Sequence, residues 1–222
     1  MPHNEVINDV FTKNRFRGMI LVLDGLLGGG KTTLARLLTQ TEKHINFSVS
    51  ATTRPMRDGE VDGLNYHFMT KEEFLKKKEE GYFLETTEVV GEYYGTPKAE
   101  VEKALENGED VIFDIDYVGT RELKKQMGDD VISVFLTPPS YESLKQRLWD
   151  RGTETEETFK KRMQRNALYL EHWQEYDYIF INDTLQDTLR RLQQILRAER
   201  LKRHRQPWLE PFITEFVDHF DK

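Results

Sequence analysis

Asp24-Gly25-Leu26-Leu27-Gly28-Gly29-Gly30-Lys31-Thr32-Thr33 is the stretch from which the rest of the chain is best read. From Gly25 to Thr32 it carries the spacing G-x-x-x-x-G-K-[ST]. Met19-Ile20-Leu21-Val22-Leu23 precedes it, a short apolar run bounded by turn residues, which predicts a buried strand. Leu34, Leu37, Leu38 and Thr41 follow at helical spacing. Strand, glycine loop and helix together are the context that makes this spacing a phosphate loop. Glycines let successive backbone N–H groups turn around an anion with no Cβ in the way. The helix N-terminus adds partial positive charge. In such a loop Lys31 reaches the β- and γ-phosphates and the Thr32 hydroxyl ligates Mg²⁺. The plain alternative is a glycine-rich turn with a chance lysine, which arises on the order of once per hundred chains of this length. The flanking strand and helix make it rarer still, so the sequence predicts nucleoside triphosphate binding.

The 222 residues suffice for one or two compact units. Aromatic residues at 11% argue against a disordered chain, although 32% of residues are charged. No apolar run approaches the length of a membrane helix. Residues 1–18 lack the apolar core of a signal peptide, and Glu5 and Asp9 sit badly with a transit peptide. They read as an N-terminal extension. The chain has no cysteine, which removes disulfides and thiolate metal sites. A cytoplasmic protein is the expectation. The net charge of −7 speaks against bulk attraction to nucleic acid, so an anionic ligand has to be held by local cationic clusters.

Residues 44–98 break the strand–helix alternation. Ser48 to Arg57 is rich in hydroxyls and carries Arg54 and Arg57 around a proline turn. Asp58-Gly59 and Asp62-Gly63 are turn signals. Tyr66 to Met69 reads as a short strand, and Thr70-x-x-Glu73 as a capping box that opens a helix ending at Gly81. Phe83 to Val90 and Glu92 to Thr96 read as a hairpin joined at Gly91. Arg54, Arg57, Tyr66 and Tyr94 have the donors of a phosphate clamp. Each arginine alone reads as a solvated surface residue, but the neighbouring phosphate loop favours the clamp.

Alternation then resumes. A helix spans about Pro97 to Asn107. Val111-Ile112-Phe113-Asp114-Ile115-Asp116 reads as a buried strand with carboxylates at its C-terminal end, where open α/β sheets place ligands. Val131 to Leu136 is a further strand, and Ser140 caps the next helix. Arg147 and Arg151 lie at i, i+4 on that helix, and another helix runs through Arg162 and Arg165. Arg147, Arg151 and Arg162 read either as a salt-bridged helix face or as a mobile lid that acts on the transferring phosphate. Tyr178 to Ile181 is a strand ending in Asn182-Asp183, and a charged helix runs from about Leu185 to Arg203.

Several stretches resemble guanylate kinase in order and spacing. They are Ser48 to Phe68, Gly81 to Glu85, Glu92 to Thr96, Val111 to Asp116, Arg151-Gly-Thr-Glu-Thr-Glu-Glu157 and Ile181-Asn-Asp183. The similarity spans about Met19 to Arg197. It implies the P-loop nucleoside monophosphate kinase fold: a parallel-sheet core with an inserted mixed β GMP-binding region and a helical lid. The core would comprise 19–47, 97–137 and 174–205, the GMP-binding region 48–96 and the lid 138–173. By the resemblance, Ser50, Glu85 and Thr96 would meet guanine, and Arg54, Arg57, Tyr66 and Tyr94 the GMP phosphate. Asp114 and Asp116 would lie near the Mg²⁺ and GMP side, Asp114 as a candidate for the outer shell of the metal. Arg147, Arg151 and Arg162 would act with Lys31 on the ATP phosphates. Gly25, Gly28, Gly29, Gly30, Lys31, Thr32 and Thr33 would bind ATP, and Asn182 would sit near adenine.

The chemistry agrees with that assignment. Guanine presents two donors, N1–H and N2–H₂, beside the acceptor O6. A carboxylate at Glu85 accepts from both, and hydroxyls at Ser50 and Thr96 serve the remaining edge. Phosphoryl transfer needs two anions brought together and their charge neutralised, with no covalent nucleophile. The implied activity is Mg²⁺-dependent ATP:GMP phosphotransfer, extending to dGMP, in a monomer or homodimer. Alternatives are a kinase of another phosphorylated substrate on the same scaffold, or a binding module. The retained Lys31 argues against a module.

The loop departs from the family pattern at Asp24, Leu26, Leu27, Gly29 and Thr32, and looks nearer to thymidylate and deoxynucleoside kinases. Met56 and Thr86 also differ. Beyond the resemblance, residues 206–222 form a tail. Phe212, Ile213, Phe216, Val217 and Phe220 make an apolar stripe with acidic residues opposite. The expectation is that this stripe folds back on the core domain. A dimer contact is the sharper alternative, and a membrane surface the weakest. The basic run Arg197 to Arg205 is expected in solvent.

Overall fold

A computed structural model describes residues 16–89, 91–150 and 155–220. Arg151 therefore lies outside the described residues. The principal sheet has five parallel strands in the order β2-β7-β1-β8-β9. They are β1 (Ile20–Gly25), β2 (Ile45–Phe47), β7 (Asp110–Phe113), β8 (Val131–Thr137) and β9 (Tyr178–Ile181).

Both faces of this sheet are covered, which is why β1 is continuously apolar up to Asp24. Leu21 and Leu23 face α1 (Lys31–Thr41) and α7 (Leu185–Arg200) through Leu34, Leu38, Leu192 and Leu196. Ile20 and Val22 face Val101 and Leu105 of α3 (Lys98–Glu106) and Leu123 of α4 (Tyr117–Met127). All five strands therefore deliver their C-terminal ends, and the loops that follow, to one edge.

A second, mixed sheet has the order β4-β3-β6-β5. Its strands are β3 (Ala51–Thr52), β4 (His67–Phe68), β5 (Phe83–Val89) and β6 (Glu92–Pro97). β5 and β6 pair antiparallel, with a register shift between Phe83 and Thr86. Phe83, Leu84 and Glu85 are consecutively buried there, where regular pleating would have turned one of them outward. α2 (Lys71–Glu79) begins at the capping box: Glu73 N–H donates to the Thr70 hydroxyl at 3.2 Å, and Thr70 N–H to Glu73 Oε2 at 2.9 Å. Beyond β8, α5 (Tyr141–Trp149) and α6 (Glu156–Leu170) bury Leu144, Leu148 and Tyr169 against Leu26 and Phe135. Half of the segment expected as a mobile lid is thus packed onto the phosphate loop and β8.

Three features differ from the sequence reading. β7 stops at Phe113, so Asp114 and Asp116 lie in the loop after the strand, and Asp116 caps α4 through Val118 and Gly119 N–H. α7 stops at Arg200, and the basic run beyond it is not simply solvated. Arg200 pairs with Asp110 at 2.6 Å, and Arg205 is fully buried, donating to Gly18 C=O at 3.0 Å and facing Asp130 at 3.5 Å. The apolar stripe of α8 (Leu209–Phe220) does not fold back along its length: no residue of this helix is buried, and Phe220 is 84% exposed. The faces of the principal sheet are already covered by α1, α7, α3 and α4.

Among the described residues, no helix is long and apolar enough to cross a membrane.

Candidate active site

The phosphate loop joins β1 to α1. Gly25 has φ 125°, and a Cβ there would sit 2.1 Å from Leu136 C=O. Gly30 has φ 96° at the N-cap of α1, and a Cβ there would sit 2.4 Å from Asn182 Nδ2. Both positions therefore require glycine. Lys31 Nζ donates to Gly25 C=O at 2.8 Å and Leu26 C=O at 3.3 Å. The ammonium is thus held at the loop it is expected to serve.

Three buried side chains brace this loop, and none is apparent from local spacing. Asp24, 2% exposed, accepts from Gly25 N–H at 2.6 Å and from the Tyr176 hydroxyl. Burial pushes the Asp24 carboxyl up to about 6, opposed by these hydrogen bonds and by Lys31. Asn166 of α6 accepts from Leu27 N–H at 2.7 Å and donates to Leu27 C=O at 3.2 Å. Asn182 donates to Gly29 C=O at 2.8 Å and accepts from the Thr188 hydroxyl at 2.8 Å. Asn182, expected near adenine, also lines a cleft with Gly28, Gly30, Thr33, Arg147 and Asp183. Arg147 donates there to Asp183 C=O at 3.2 Å.

On the other side of the loop lies a cavity of about 360 Å³ between the two sheets. Lys31, Glu85, Asp114, Asp116, Arg165 and Tyr169 are among its lining residues. The Thr32 hydroxyl donates to Asp114 Oδ2 at 3.1 Å. Hydroxyl and carboxylate oxygens are the hard donors that suit Mg²⁺, which takes few protein ligands and completes its shell with phosphate and water.

Glu85 is 7% exposed and accepts from the Thr96 hydroxyl at 2.8 Å. The Ser50 hydroxyl lies 3.5 Å from that of Thr96. Burial raises the Glu85 pKa, and the Thr96 bond opposes the rise.

Arg54, Tyr66 and Tyr94 also come together. The Arg54 guanidinium lies 5.4 Å from the Tyr66 ring centroid, and the Tyr66 and Tyr94 rings meet edge-on at 6.0 Å. The fork of Arg54 is engaged by Glu60 at 2.8 and 3.0 Å, a partner the sequence did not suggest. Arg57 is exposed, and its backbone N–H donates to Glu60 Oε2 at 2.8 Å. Arg162 is half-buried on α6; the arginine of α6 that lines the cavity is Arg165.

A parallel sheet whose phosphate loop opens towards an inserted mixed sheet carrying a buried carboxylate is the arrangement that the resemblance implied, that of a P-loop nucleoside monophosphate kinase. Comparison with known proteins gives the branch. The guanylate kinase family model matches residues 17–199. A guanylate kinase of Maricaulis maris is 48% identical over 206 residues, covering 93% of this chain and 94% of that protein. One of Sphingopyxis alaskensis is 46% identical over 201 residues, covering 90% and 91%. The crystal structure of guanylate kinase from Anaplasma phagocytophilum superposes with a TM-score of 0.69 at 34% identity, covering 90% of this chain and 95% of that one. The chain belongs to the guanylate kinase family.

Proposed function

We propose that this chain transfers the γ-phosphoryl group of ATP, with Mg²⁺, to GMP and dGMP. The observation that carries the reading is that one cavity brings together Lys31 of the phosphate loop and the buried Glu85. In this reading Glu85 accepts from guanine N1–H and N2–H₂, while Ser50 and Thr96 address the rest of the base edge. Arg54, Tyr66 and Tyr94 hold the acceptor phosphate, Arg54 exchanging Glu60 for it, and Arg57 closes on the same group. Lys31 and the N–H groups of Gly28 to Thr33 hold the donor phosphates.

Thr32 would ligate Mg²⁺, with Asp114 in its outer shell, and the metal would neutralise charge between the β- and γ-phosphates. Arg147, Arg151 and Arg162 would act on the donor phosphates. dGMP presents the same base and phosphate as GMP, and the groups named address those parts. The substrates are soluble nucleotides, so a cytoplasmic location goes with this function.

Coupled assay of GDP formation from ATP, Mg²⁺ and GMP tests it. The unmodified chain should turn over, and Lys31→Ala should lose about 10²–10³-fold or more in kcat at unchanged Tm, as when one transition-state cation or donor is removed. Near-normal activity of the variant would refute the phosphate-loop assignment.

A further inference from the structure

Tyr169 stands between two cations. Its ring is 5% exposed; Lys31 Nζ lies 6.0 Å from its centroid and Arg165 Cζ 5.5 Å. Arg165 and Tyr169 are i, i+4 neighbours on α6, so one face of that helix carries both. All three residues line the cavity beside the phosphate loop. The Arg165 side chain is 59% exposed, and its guanidinium faces Asp116 Oδ2 at 4.0 Å, too far for a tight ion pair. Asp116 is itself engaged through Oδ1 in capping α4. A guanidinium laid against an aromatic face keeps its fork oriented while its N–H edge stays available to an anion.

We infer that Arg165 is a further catalytic residue, contacting the phosphoryl group as it passes between donor and acceptor, and that Tyr169 positions it relative to Lys31. The inference rests on the function proposed above. In the transfer, the bond from the γ-phosphorus to the ADP oxygen breaks and one to an oxygen of the acceptor monophosphate forms. Arg165 remains protonated throughout and exchanges no proton. Its work is electrostatic, on the oxygens that carry the charge of the transition state. Arg147 lines a separate cleft with Gly28, Gly30 and Asn182, where it donates to Asp183 C=O at 3.2 Å.

The test compares Arg165→Ala, Arg165→Lys, Tyr169→Leu and Tyr169→Phe in the full chain. Two quantities are read: steady-state constants for ATP and GMP, and calorimetric affinity for a guanosine–adenosine pentaphosphate that joins the two nucleotides. Arg165→Ala should lower kcat by about 10²-fold or more, weaken the joined nucleotide about tenfold, the loss of one charge-assisted contact, and leave Tm unchanged. Arg165→Lys, lacking the fork, should recover only part of this. Tyr169→Leu should lower kcat with KM for ATP within twofold, and Tyr169→Phe, which keeps the ring, should restore it.

Arg165→Ala within twofold of the unmodified chain in both readouts would overturn the inference while leaving the proposed function standing. An unmodified chain that neither turns over GMP nor binds the joined nucleotide would overturn both. Binding without turnover would sink the proposed activity, and the affinity of Arg165→Ala would still decide whether Arg165 meets the phosphates.

Discussion

The Thr96 hydroxyl donates to Glu85 Oε1 across 2.8 Å, joining β5 to β6 inside the mixed sheet. One carboxylate oxygen is thereby spoken for within the protein, and the acceptor capacity that remains has to meet the base. Glu85→Gln replaces an acceptor-only group by one that has to choose a face. It should lower kcat/KM for GMP by about 10²-fold or more, as for a buried pairing left unmade. The pH dependence has a definite sign. Burial raises the Glu85 pKa, and the carboxylate form is the one that accepts from guanine. KM for GMP should therefore rise as pH falls through that raised value, and a pH series on the unmodified chain and Glu85→Gln should show it only in the former.

Asp24 makes the phosphate loop sensitive to pH in the opposite direction. Its folded-state pKa of about 6 lies above the ordinary value of 3.8 for an aspartate, so the folded chain holds the proton more tightly than the unfolded one. The stability this contributes is fully present below about pH 4 and is lost as pH rises through about 6. At 1.36 kcal/mol per unit the whole effect is about 3 kcal/mol. Asp24→Asn keeps a partner for the Tyr176 hydroxyl and carries no charge. It should be more stable than the unmodified chain at pH 8 by about 1–3 kcal/mol, with the difference vanishing towards pH 4. Urea unfolding at both pH values checks this, and a constant difference would show that Asp24 does not titrate there.

Asn166 fixes the C-terminal half of α6 to the loop through both backbone groups of Leu27. Asn166→Ala strips partners from that backbone and should cost about 2 kcal/mol of stability and raise KM for ATP. It also limits where motion can occur. Amides from Asn166 to Tyr169 should be protected from exchange without nucleotide, whereas those near Thr155 to Phe159, at the exposed start of α6, should slow only when both nucleotides bind. Uniform exchange along α6 would contradict a pinned half.

The C-terminal residues divide at Gln206. Arg205 ties the chain to Gly18 and Asp130, whereas α8 leaves Phe216 and Phe220 exposed. A chain ending after Gln206 should lose no more than about 1 kcal/mol of stability, as for other surface changes. A chain ending after Leu201, or Arg205→Ala, should lose about 3 kcal/mol, because buried carbonyls and Asp130 lose their partner. Thermal melts of the three variants separate the two contributions.

The phosphate loop was legible because its residues are neighbours: glycines, Lys31 and Thr32 stand in one run, and strand and helix periodicity flank it. The capping box at Thr70 and the hairpin turning at Gly91 were legible for the same local reason. The bracing residues were not. Asn166 meets Leu27 across 139 positions, Tyr176 meets Asp24 across 152 and Arg205 meets Gly18 across 187. A single polar residue carries no local sign of so distant a partner. Arg165 was placed on its helix but given no role, because Arg147, Arg151 and Arg162 formed the set carried by the family resemblance, and only packing shows which face of α6 meets the cavity. The tail's periodicity correctly predicted a helix, but periodicity alone does not say whether a surface is left for it to cover.

The central claim is that a kinase phosphate loop and a guanine-reading carboxylate share one site. It is tested most directly by steady-state phosphorylation of GMP, dGMP, AMP, CMP, UMP and dTMP with ATP and Mg²⁺. The account predicts turnover of GMP and dGMP, with AMP poorer in kcat/KM by roughly 10⁴-fold, the discrimination expected of a site built on hydrogen bonds to the base. Equal use of AMP and GMP, or no turnover of any of the six, would contradict it.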